Sequence, residues 1–297
     1  MNPEIVRPNI VGLGEVLWDV FPEAAHFGGA PANFACHAAG LGGDAWVVSA
    51  VGRDQLGDDA LASLSAKNVH TLLLQRNEHP TGTVTVTLDA AKQASYVFAA
   101  DPAWDHIAWN ESLALLARKC KAVCFGTLAQ RAPISRRTVR EFLENTSPDC
   151  LRIFDVNLRA PHDDLDRVRI LASQSTLLKL NAAEAAHIAC DQTEEAGREE
   201  SDARALAKQT GCTTICITSG ERGAGLLRND IWHWEDAQKV QVIDTIGAGD
   251  AFLASLIANL IPGHHTDAEC LAVACRLGEW VSSQYGATPT YPPPASS

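Results

Sequence analysis

The sequence has few positive charges for its 297 residues. Its 24 lysines and arginines stand against 36 aspartates and glutamates, which gives a formal net charge of −12. A surface of this sign repels the phosphates of nucleic acids and the headgroups of anionic membranes. We therefore expect neither as a partner, and an anionic small ligand would need a local site made of backbone N–H groups or a few basic side chains.

Paired cysteine motifs and long apolar runs are also missing. The nine cysteines include no C-x-x-C pair, and their odd number, without a secretory leader, predicts reduced thiols in a cytoplasmic protein. Several lie in apolar runs such as AVCF and TTICIT, which is typical of small buried residues. The apolar runs fall well short of the roughly 20 residues that a membrane-spanning helix needs, so no transmembrane helix is expected.

Three familiar motifs of ligand binding and catalysis are absent. The chain has neither the G-x-x-x-x-G-K-[ST] loop of many nucleotide-binding proteins nor the G-x-S-x-G elbow of hydrolases. The segment VGLGEVLW has Gly12 and Gly14, but Leu17 stands where the third glycine of G-x-G-x-x-G belongs. This disfavours a dinucleotide-dependent oxidoreductase, which is kept as an alternative from a different class of enzyme.

The sequence does contain short apolar runs that alternate with helical patterns. Six runs predict strands, at 9–16, 45–51, 122–127, 151–157, 176–181 and 213–220. Between such runs, apolar residues recur at helical spacing. Continuous apolar strands that alternate with helices are typical of a parallel sheet covered on both faces. We therefore predict an α/β fold that forms a single domain over residues 1–297.

One segment departs from this rule. TGTVTVTLD (81–89) alternates threonine with valine and leucine, and ASYVFAAD (94–101) follows it closely. Strict alternation predicts a strand with one polar and one apolar face, which a second strand can pair as a hairpin. We interpret the two as a small β-flap on the α/β core. The alternative is an edge hairpin with no further role.

The stretch VIDTIGAGDAFLASLIANLI (242–261) places two glycines and a carboxylate where an apolar run becomes a helix. Gly247 and Gly249 allow the backbone to turn sharply and to approach a ligand. The helix that follows presents free N–H groups and the positive end of its dipole, which suits a phosphate. Asp250 could then accept a proton from a hydroxyl nucleophile. The alternative is a plain glycine turn with Asp250 as the helix cap.

Four further segments place polar residues at strand ends or helix starts. In FGGAPANFACHAAGLGG (27–43), paired glycines and an asparagine lead into a helix, or form a plain turn. LKLNAAEA (178–185) has the spacing of a helix capping box. ITSGERGAGLL (217–227) is a strand end rich in glycine, and FDVNLRAP (154–161) has Asp155, Asn157 and Arg159 at a strand's carboxyl end, where open α/β sheets bind ligands.

Together and in this order, these segments resemble the ribokinase-like, or PfkB, family of carbohydrate kinases. GGAPANFACHAAGLGG looks like the family's N-terminal signature and DTIGAGDAF like its C-terminal one, with K-L-N-x-x-E and T-S-G-x-x-G between them. The resemblance covers about residues 9 to 290. It implies a doubly wound, mainly parallel sheet flanked by helices, with a small β-sheet lid formed near 15–28 and 81–100. In relatives such lids can pair between subunits, so a homodimer through the lid is one implication.

The resemblance also implies an activity, an ATP-dependent phosphorylation of a sugar hydroxyl, and a role for individual residues. The catalytic base would be Asp250, and the anion hole would be the backbone N–H groups of Gly247, Ala248 and Gly249. The residues that would hold substrate are Asp19, Gly28, Gly29, Asn33 and Arg159. Those that would serve the nucleotide are Thr218, Gly220 and Gly223, with Asn181 and Glu184 organising Mg²⁺ through its waters. Asp244 would contribute to a site for a monovalent cation such as K⁺.

Within the family, GEVLWDVFP and GGAPANFA look most like the fructokinase branch. This implies that fructose and MgATP give fructose 6-phosphate. Ribose, 2-keto-3-deoxygluconate and nucleosides remain alternative substrates within the family. A catalytically weak protein that binds sugar or nucleotide on the same fold is the alternative to an enzyme.

Overall fold

The computed structural model describes residues 7–21, 23–88 and 94–291. In these residues a nine-stranded sheet has the order β13-β12-β11-β10-β9-β8-β1-β4-β5. Its strands are β1 (Asn9–Leu13), β4 (Asp44–Gly52), β5 (Leu74–Asn77), β8 (Ala122–Phe125), β9 (Leu151–Asp155), β10 (Leu177–Asn181), β11 (Thr214–Thr218), β12 (Gly223–Arg228) and β13 (Ile231–Asp236). The sheet is parallel from β5 to β11 and ends in the antiparallel strands β12 and β13.

All six predicted core strands are present, and three further strands, β5, β12 and β13, extend the sheet at its two edges. The sequence of β12, GAGLLR, looks like a turn because of its glycines. A Cβ atom at Gly223 would lie 2.1 Å from the carbonyl oxygen of Glu235, and one at Gly225 would lie 2.0 Å from the ring of Trp232. These glycines therefore permit close contact between β12 and β13, a requirement that only the paired strands reveal.

Helices cover both faces of the sheet. They are α1 (Ala30–Gly40), α2 (Gln55–Ala66), α3 (Glu111–Lys119), α4 (Pro133–Glu144), α5 (Leu165–Ser173), α6 (Ala182–Cys190), α7 (Glu199–Thr210), α8 (Ala248–Leu260) and α9 (Asp267–Ser282). Val11 of β1 packs in a core with α3 to α7, whereas its neighbour Ile10 packs in a separate core with α1, α8 and α9. This confirms the predicted doubly wound α/β fold. None of the described helices is long and apolar enough to cross a membrane.

A second, four-stranded sheet confirms the predicted β-flap. It consists of β2 (Leu17–Val20), β3 (Ala25–Gly28), β6 (Gly82–Leu88) and β7 (Ala94–Phe98), in the order β3-β2-β6-β7. The β2–β3 and β6–β7 pairs are antiparallel hairpins, and the parallel pairing of β2 with β6 joins them. The predicted lid segments also include residues 22 and 89–93, which lie outside the described residues.

Candidate active site

A cavity of about 550 Å³ lies at the carboxyl ends of the central parallel strands. Residues that follow β1, β8 and β9 line it, together with Lys179 of β10 and the first residues of α1 and α8. The four-stranded sheet contributes Leu17, Asp19, Val84 and Phe98 to the lining. The cavity is thus enclosed between the edge of the main sheet and the smaller sheet, which is where open α/β folds bind their ligands.

The turn before α8 forms one wall of this cavity. Gly247 has a φ of 78°, and a Cβ atom there would lie 2.2 Å from the carbonyl oxygen of Ala287, so only glycine fits. Gly247 is the N-cap residue, and no side chain caps the helix. The first N–H groups of α8 therefore meet no capping side chain, although the N–H of Ala248 donates to the carbonyl oxygen of Thr245 at 3.3 Å. Gly247 and Gly249 line the cavity and Ala248 does not.

Asp250 is the third residue of α8 and faces the cavity rather than capping the helix. The alternative interpretation of this residue as a cap is therefore wrong. Asn33 of α1 donates from Nδ2 to Oδ2 of Asp250 at 2.9 Å. Burial raises the pKa of Asp250 to about 7, and the nearby carboxylate of Asp155 adds to this rise. A carboxylate whose pKa lies near neutrality is suited to take up a proton from a hydroxyl group and to release it again.

A buried ion pair lies next to this carboxylate. Lys179 Nζ donates to Asp155 Oδ1 at 2.9 Å, and both side chains are almost fully buried. Burial lowers the pKa of Lys179, but the attraction of Asp155 outweighs it, so the net shift is upward. Lys179 therefore stays charged. Its Nζ atom lies close to the start of α8, since a Cβ atom at Gly249 would be 3.3 Å from it. The positive charge thus adds to the electrostatic attraction of anions at the start of α8.

The carboxylate of Glu15 also lies in the cavity lining. It is 5% exposed, and its Oε2 atom has no hydrogen-bond partner within the described part of the chain. Burial raises the pKa of Glu15 to about 7, while Arg159 opposes the rise. Arg159, Asp155 and Asn157 line the same cavity after β9. The cavity therefore offers several polar groups to a hydroxyl-rich ligand.

The residues predicted to hold substrate fall into two groups. Asp19, Gly29, Asn33 and Arg159 line the cavity, whereas Gly28 lies in β3 outside its lining. Gly29 has a φ of 106°, and a Cβ atom there would lie 2.5 Å from the carbonyl oxygen of Glu15. Asn33 is in contact with Asp250, so the structure brings together a predicted substrate ligand and the predicted base.

The residues predicted to serve the nucleotide lie together on the neighbouring strands, outside the cavity lining. Asn181 and Thr218 are partners at the carboxyl ends of β10 and β11. Gly220 follows with a φ of 57°, and Gly223 begins β12. These positions extend the row of strand ends beyond the cavity, and their role towards the nucleotide stays a prediction.

Asn181 and Glu184 form the capping box that their spacing predicts. Asn181 Oδ1 accepts from the N–H of Glu184 at 2.8 Å, and Glu184 Oε2 accepts from the N–H of Asn181 at 2.9 Å. Glu184 Oε1 accepts from the N–H of Leu158 at 2.8 Å. Each carboxylate oxygen keeps a further lone pair, which suits a hydrogen bond from a water of a hydrated Mg²⁺. The capping function and an outer-sphere metal function are thus compatible.

Asp244 ties the turn before α8 to the segment after α9. Its Oδ1 accepts from the N–H of Ile246 at 3.0 Å, and its Oδ2 accepts from the N–H of Gly286 at 3.1 Å. These bonds fix the loop that leads into Gly247. Nothing here tests the prediction that Asp244 contributes to a monovalent-cation site, and it stays a prediction.

With this geometry in view, comparison with known proteins identifies the family. Residues 15–294 match the profile of the family described as pfkB family carbohydrate kinase. The chain belongs to this family. As a PfkB kinase it is an ATP-dependent sugar kinase, which confirms the predicted enzyme class and excludes the alternative of an oxidoreductase.

The relatives of this PfkB kinase have several substrates. A fructokinase of Klebsiella pneumoniae is 30% identical over 302 residues, which cover 94% of this chain and 95% of the relative. An uncharacterized sugar kinase of Pyrococcus horikoshii, also solved in complex with ATP, has a TM-score of 0.81 at 25% identity over 94% of this chain and 93% of its own. The 2-dehydro-3-deoxygluconokinase of Thermotoga maritima has a TM-score of 0.85 at 19% identity over 96% of this chain and 95% of its own. A similarity at this low identity shows the shared fold alone.

Sequence reasoning missed two charged residues of this PfkB site. Glu15 and Lys179 lie within or next to apolar strands, in VGLGEV and LLKLN, and are 5% exposed in both cases. Lysine and glutamate are rarely this buried unless they have a function or a partner. A charged residue inside a strand that periodicity predicts to be buried is therefore the signal that could have identified both.

Proposed function

We propose that this PfkB kinase transfers the γ-phosphoryl group of MgATP to a hydroxyl of fructose and forms fructose 6-phosphate. The observation that carries the proposal is Asp250, a partly buried carboxylate with a pKa near 7 at the glycine-lined start of α8. The fructokinase of Klebsiella pneumoniae, which matches over nearly the whole chain, supports fructose as substrate.

In this mechanism Asp250 accepts the proton of the attacking hydroxyl as the new O–P bond forms and the bond to ADP breaks. Asn33 orients the Asp250 carboxylate through the hydrogen bond of 2.9 Å. The N–H groups of Gly247, Ala248 and Gly249 and the charge of Lys179 stabilise the negative charge of the transferring phosphoryl group. Positioning and charge stabilisation of this kind account for most of the catalysis in phosphoryl transfer.

The sugar and the nucleotide bind on either side of the start of α8. Asp19, Gly29 and Arg159 bind sugar hydroxyls within the cavity, and Gly28 leaves room beside Asp19, since a Cβ atom there would lie 3.0 Å from Asp19 Oδ2. Thr218, Gly220 and Gly223 bind the nucleotide beyond β10. Mg²⁺, held through waters by Asn181 and Glu184, would neutralise phosphate charge when bound. Asp244 would support a K⁺ ion near the same turn.

The four-stranded sheet acts as a lid over the sugar. Closing the cavity keeps water from competing with the sugar hydroxyl for the phosphoryl group. In the described residues β3 forms an edge of this sheet, and a second subunit can pair there to give a homodimer. The whole chain, residues 1–297, then works as one kinase domain.

ADP release with MgATP, measured across fructose, ribose, glucose, mannose, 2-keto-3-deoxygluconate and nucleosides, tests the substrate. We expect fructose to give the highest kcat/KM, and we expect Asp250→Asn to slow that release by about 10²–10⁴-fold. A different best substrate would overturn the assignment of fructose and leave the Asp250 mechanism in place. Binding of sugar and ATP without release of ADP would favour the alternative of a catalytically weak binder.

A further inference from the structure

A cluster of side chains that could ligate a metal ion lies outside the kinase cavity, near the start of β6 and the end of β7. His79 lies between β5 and β6, Asp101 lies just after β7, and His106 ends a short 3₁₀ helix (Ala103–His106). One potential ligand atom from each of the three lies within 4.8 Å of the others. None of the three lines the kinase cavity, so the phosphoryl-transfer mechanism leaves the cluster without a role.

The carboxylate of Asp101 contacts one ring nitrogen of each of the two histidines. His79 Nδ1 is 3.0 Å from Asp101 Oδ2, and His106 Nε2 is 2.5 Å from Asp101 Oδ1. The two rings stack with their centroids 3.5 Å apart and their planes at 11°. Ligands bound about 2.0–2.2 Å from one tetrahedral zinc ion lie about 3.3–3.6 Å from each other. The two nitrogen–oxygen pairs, at 3.0 and 2.5 Å, are in hydrogen-bond contact, and they must open by up to about 1 Å to admit a common ion.

Backbone and amide hydrogen bonds hold the two contributing segments together. The N–H of Ala103 donates to the carbonyl oxygen of Pro80 at 2.8 Å. Asn77 Nδ2 donates to the carbonyl oxygen of Ala103 at 3.0 Å, and Asn77 Oδ1 accepts from the N–H of His79 at 3.0 Å. These bonds place the histidines side by side without a metal, so binding an ion needs little rearrangement of the backbone.

We propose that His79, Asp101 and His106 form a binding site for a divalent transition-metal ion such as Zn²⁺. Two imidazoles and one carboxylate are a donor set that zinc accepts, and a tetrahedral ion would keep a fourth position for water. Mg²⁺ prefers oxygen ligands and would not compete well for this site. Binding displaces any proton that bridges an imidazole and Asp101, since a ligating nitrogen must be deprotonated.

The position of the site gives the bound ion a structural consequence. His79 lies three residues before Gly82, where β6 begins, and Asp101 lies three residues after Phe98, where β7 ends. An ion held by both segments therefore joins the two ends of the β6–β7 hairpin and fixes its attachment to the core. The effect on lid movement rests on the proposed function, whereas binding itself does not.

Calorimetric titration with Zn²⁺ tests the site. The protein is the tag-free full chain, stripped of metal and kept in excess Mg²⁺, with Cys190→Ser to remove the exposed thiol. We expect one ion to bind with a Kd below about 10 μM. His79→Ala and His106→Ala should each weaken binding by about tenfold or more, as loss of a direct ligand does.

His70→Ala is the matched control. His70 Nε2 lies 2.5 Å from Asp44 Oδ1, and its ring stacks on Trp46, but among the residues that the structure describes no third ligand completes a set there. We expect this variant to bind Zn²⁺ like the parent protein. Equal weakening in His70→Ala, or unchanged binding in both cluster variants, would overturn the proposal, as would a parent protein that does not bind Zn²⁺.

Asp101→Asn tests the site with a change that should leave folding intact, because the Asp101 side chain is 65% exposed. We expect it to keep the metal-free melting temperature of the parent protein and to bind Zn²⁺ at least about tenfold more weakly. Retained affinity in this variant would contradict a role for the carboxylate as ligand. Because the titration contains neither ATP nor sugar, its failure would leave the kinase proposal untouched.

Discussion

Asp250 is a side chain whose surroundings set the pKa that a general base needs. Desolvation raises its pKa to about 7, while Lys179 and the hydrogen bond from Asn33 keep the rise in check. The sequence places Asp250 at a helix start next to two glycines, but its ionisation depends on Asn33, Asp155 and Lys179, which come from three other elements. Residue-level predictions therefore concern this group of four side chains.

Replacing Asp250 with asparagine should separate catalysis from folding. We expect kcat to fall by about 10²–10⁴-fold, which is the usual contribution of a general base. A raised pKa means that the folded state binds the proton more tightly than the unfolded chain. The contribution of Asp250 to stability therefore falls as pH rises from about 4 to about 7. The melting temperature of Asp250→Asn at pH 8 should thus be no lower than that of the parent.

Steady-state rates and thermal melts check both parts of this prediction. Asp166→Asn is the control, because the Asp166 side chain is 91% exposed and lies on α5, away from the cavity. It should leave both kcat and the melting temperature unchanged. Full activity in Asp250→Asn would remove this residue from the role of base.

The pH dependence of kcat/KM should report the ionisation of Asp250. Because a base must be deprotonated, we expect kcat/KM to rise with pH and to level off above about 7. Asn33→Ala removes a hydrogen bond that lowers the pKa of Asp250, so the midpoint should move upward by about one pH unit. Rates measured from pH 5.5 to 9 check this shift. An unchanged midpoint, with only the KM for sugar increased, would mean that Asn33 binds substrate without acting on Asp250.

At the scale of elements, two short motifs shape the site at the carboxyl ends of the strands. One is the glycine turn into α8, and the other is the capping box that begins α6. Both are defined by neighbours in sequence, so local rules predict them well. Their consequences differ. The glycine turn packs closely against Ala287, whereas Glu184 of the capping box also accepts a hydrogen bond from Leu158 after β9.

Gly247→Ala should be much more damaging than another substitution at a similar backbone conformation. Gly263 has a φ of 67° with nothing within 4 Å of a Cβ atom, so Gly263→Ala should cost only about 1 kcal/mol of unfolding free energy. At Gly247 the overlap with Ala287 adds about 1–3 kcal/mol. Urea unfolding of both variants measures the difference. Equal losses would mean that the segment at 287 moves aside at little cost.

A second capping box among the described helices permits a matched test of Glu184. Glu269 forms the same box with Thr266 at the exposed start of α9. Glu184→Ala and Glu269→Ala should each reduce the unfolding free energy by about 0.5–2 kcal/mol. Only Glu184→Ala should raise the Mg²⁺ concentration needed for half-maximal rate. The same Mg²⁺ dependence in both variants would restrict Glu184 to capping.

At the scale of the whole molecule, the four-stranded sheet and the main sheet enclose the cavity between them. The smaller sheet forms only because β2 pairs with β6, more than 60 positions later in the chain. Val84 and Phe98 of the second hairpin and Leu17 of the first pack in one cluster with Trp104. Movement of the two hairpins is therefore expected to be coupled.

Hydrogen exchange should detect closure of this lid. Binding of the preferred sugar should slow amide exchange in residues 17–28 and 82–88, because closure shields their backbone and orders the sheet. Helix α5 lies outside the cavity lining and should exchange at an unchanged rate. Mass spectrometry with and without sugar makes the comparison. Equal exchange in the sheet with sugar bound would show that it is a fixed wall rather than a lid.

Local patterns in the sequence were sufficient to predict the features that depend on neighbouring residues. Apolar runs and helical spacing predicted six core strands, the alternating threonines predicted the β6–β7 hairpin, and the spacing of Asn181 and Glu184 predicted a capping box. These follow from short-range sterics and hydrogen bonds, which act within a few positions of the chain. The order of the glycine motifs further indicated the kinase family.

Which distant residues contact one another became evident from the folded chain alone. The hydrogen bond between Asn33 and Asp250 spans 217 positions, and the ion pair of Lys179 with Asp155 spans 24. Neither these contacts nor the glycines of β12 follow from local patterns, because strand order and helix packing choose the partners. The pKa of Asp250 depends on those partners and on burial, so the chemistry of the site is a property of the fold.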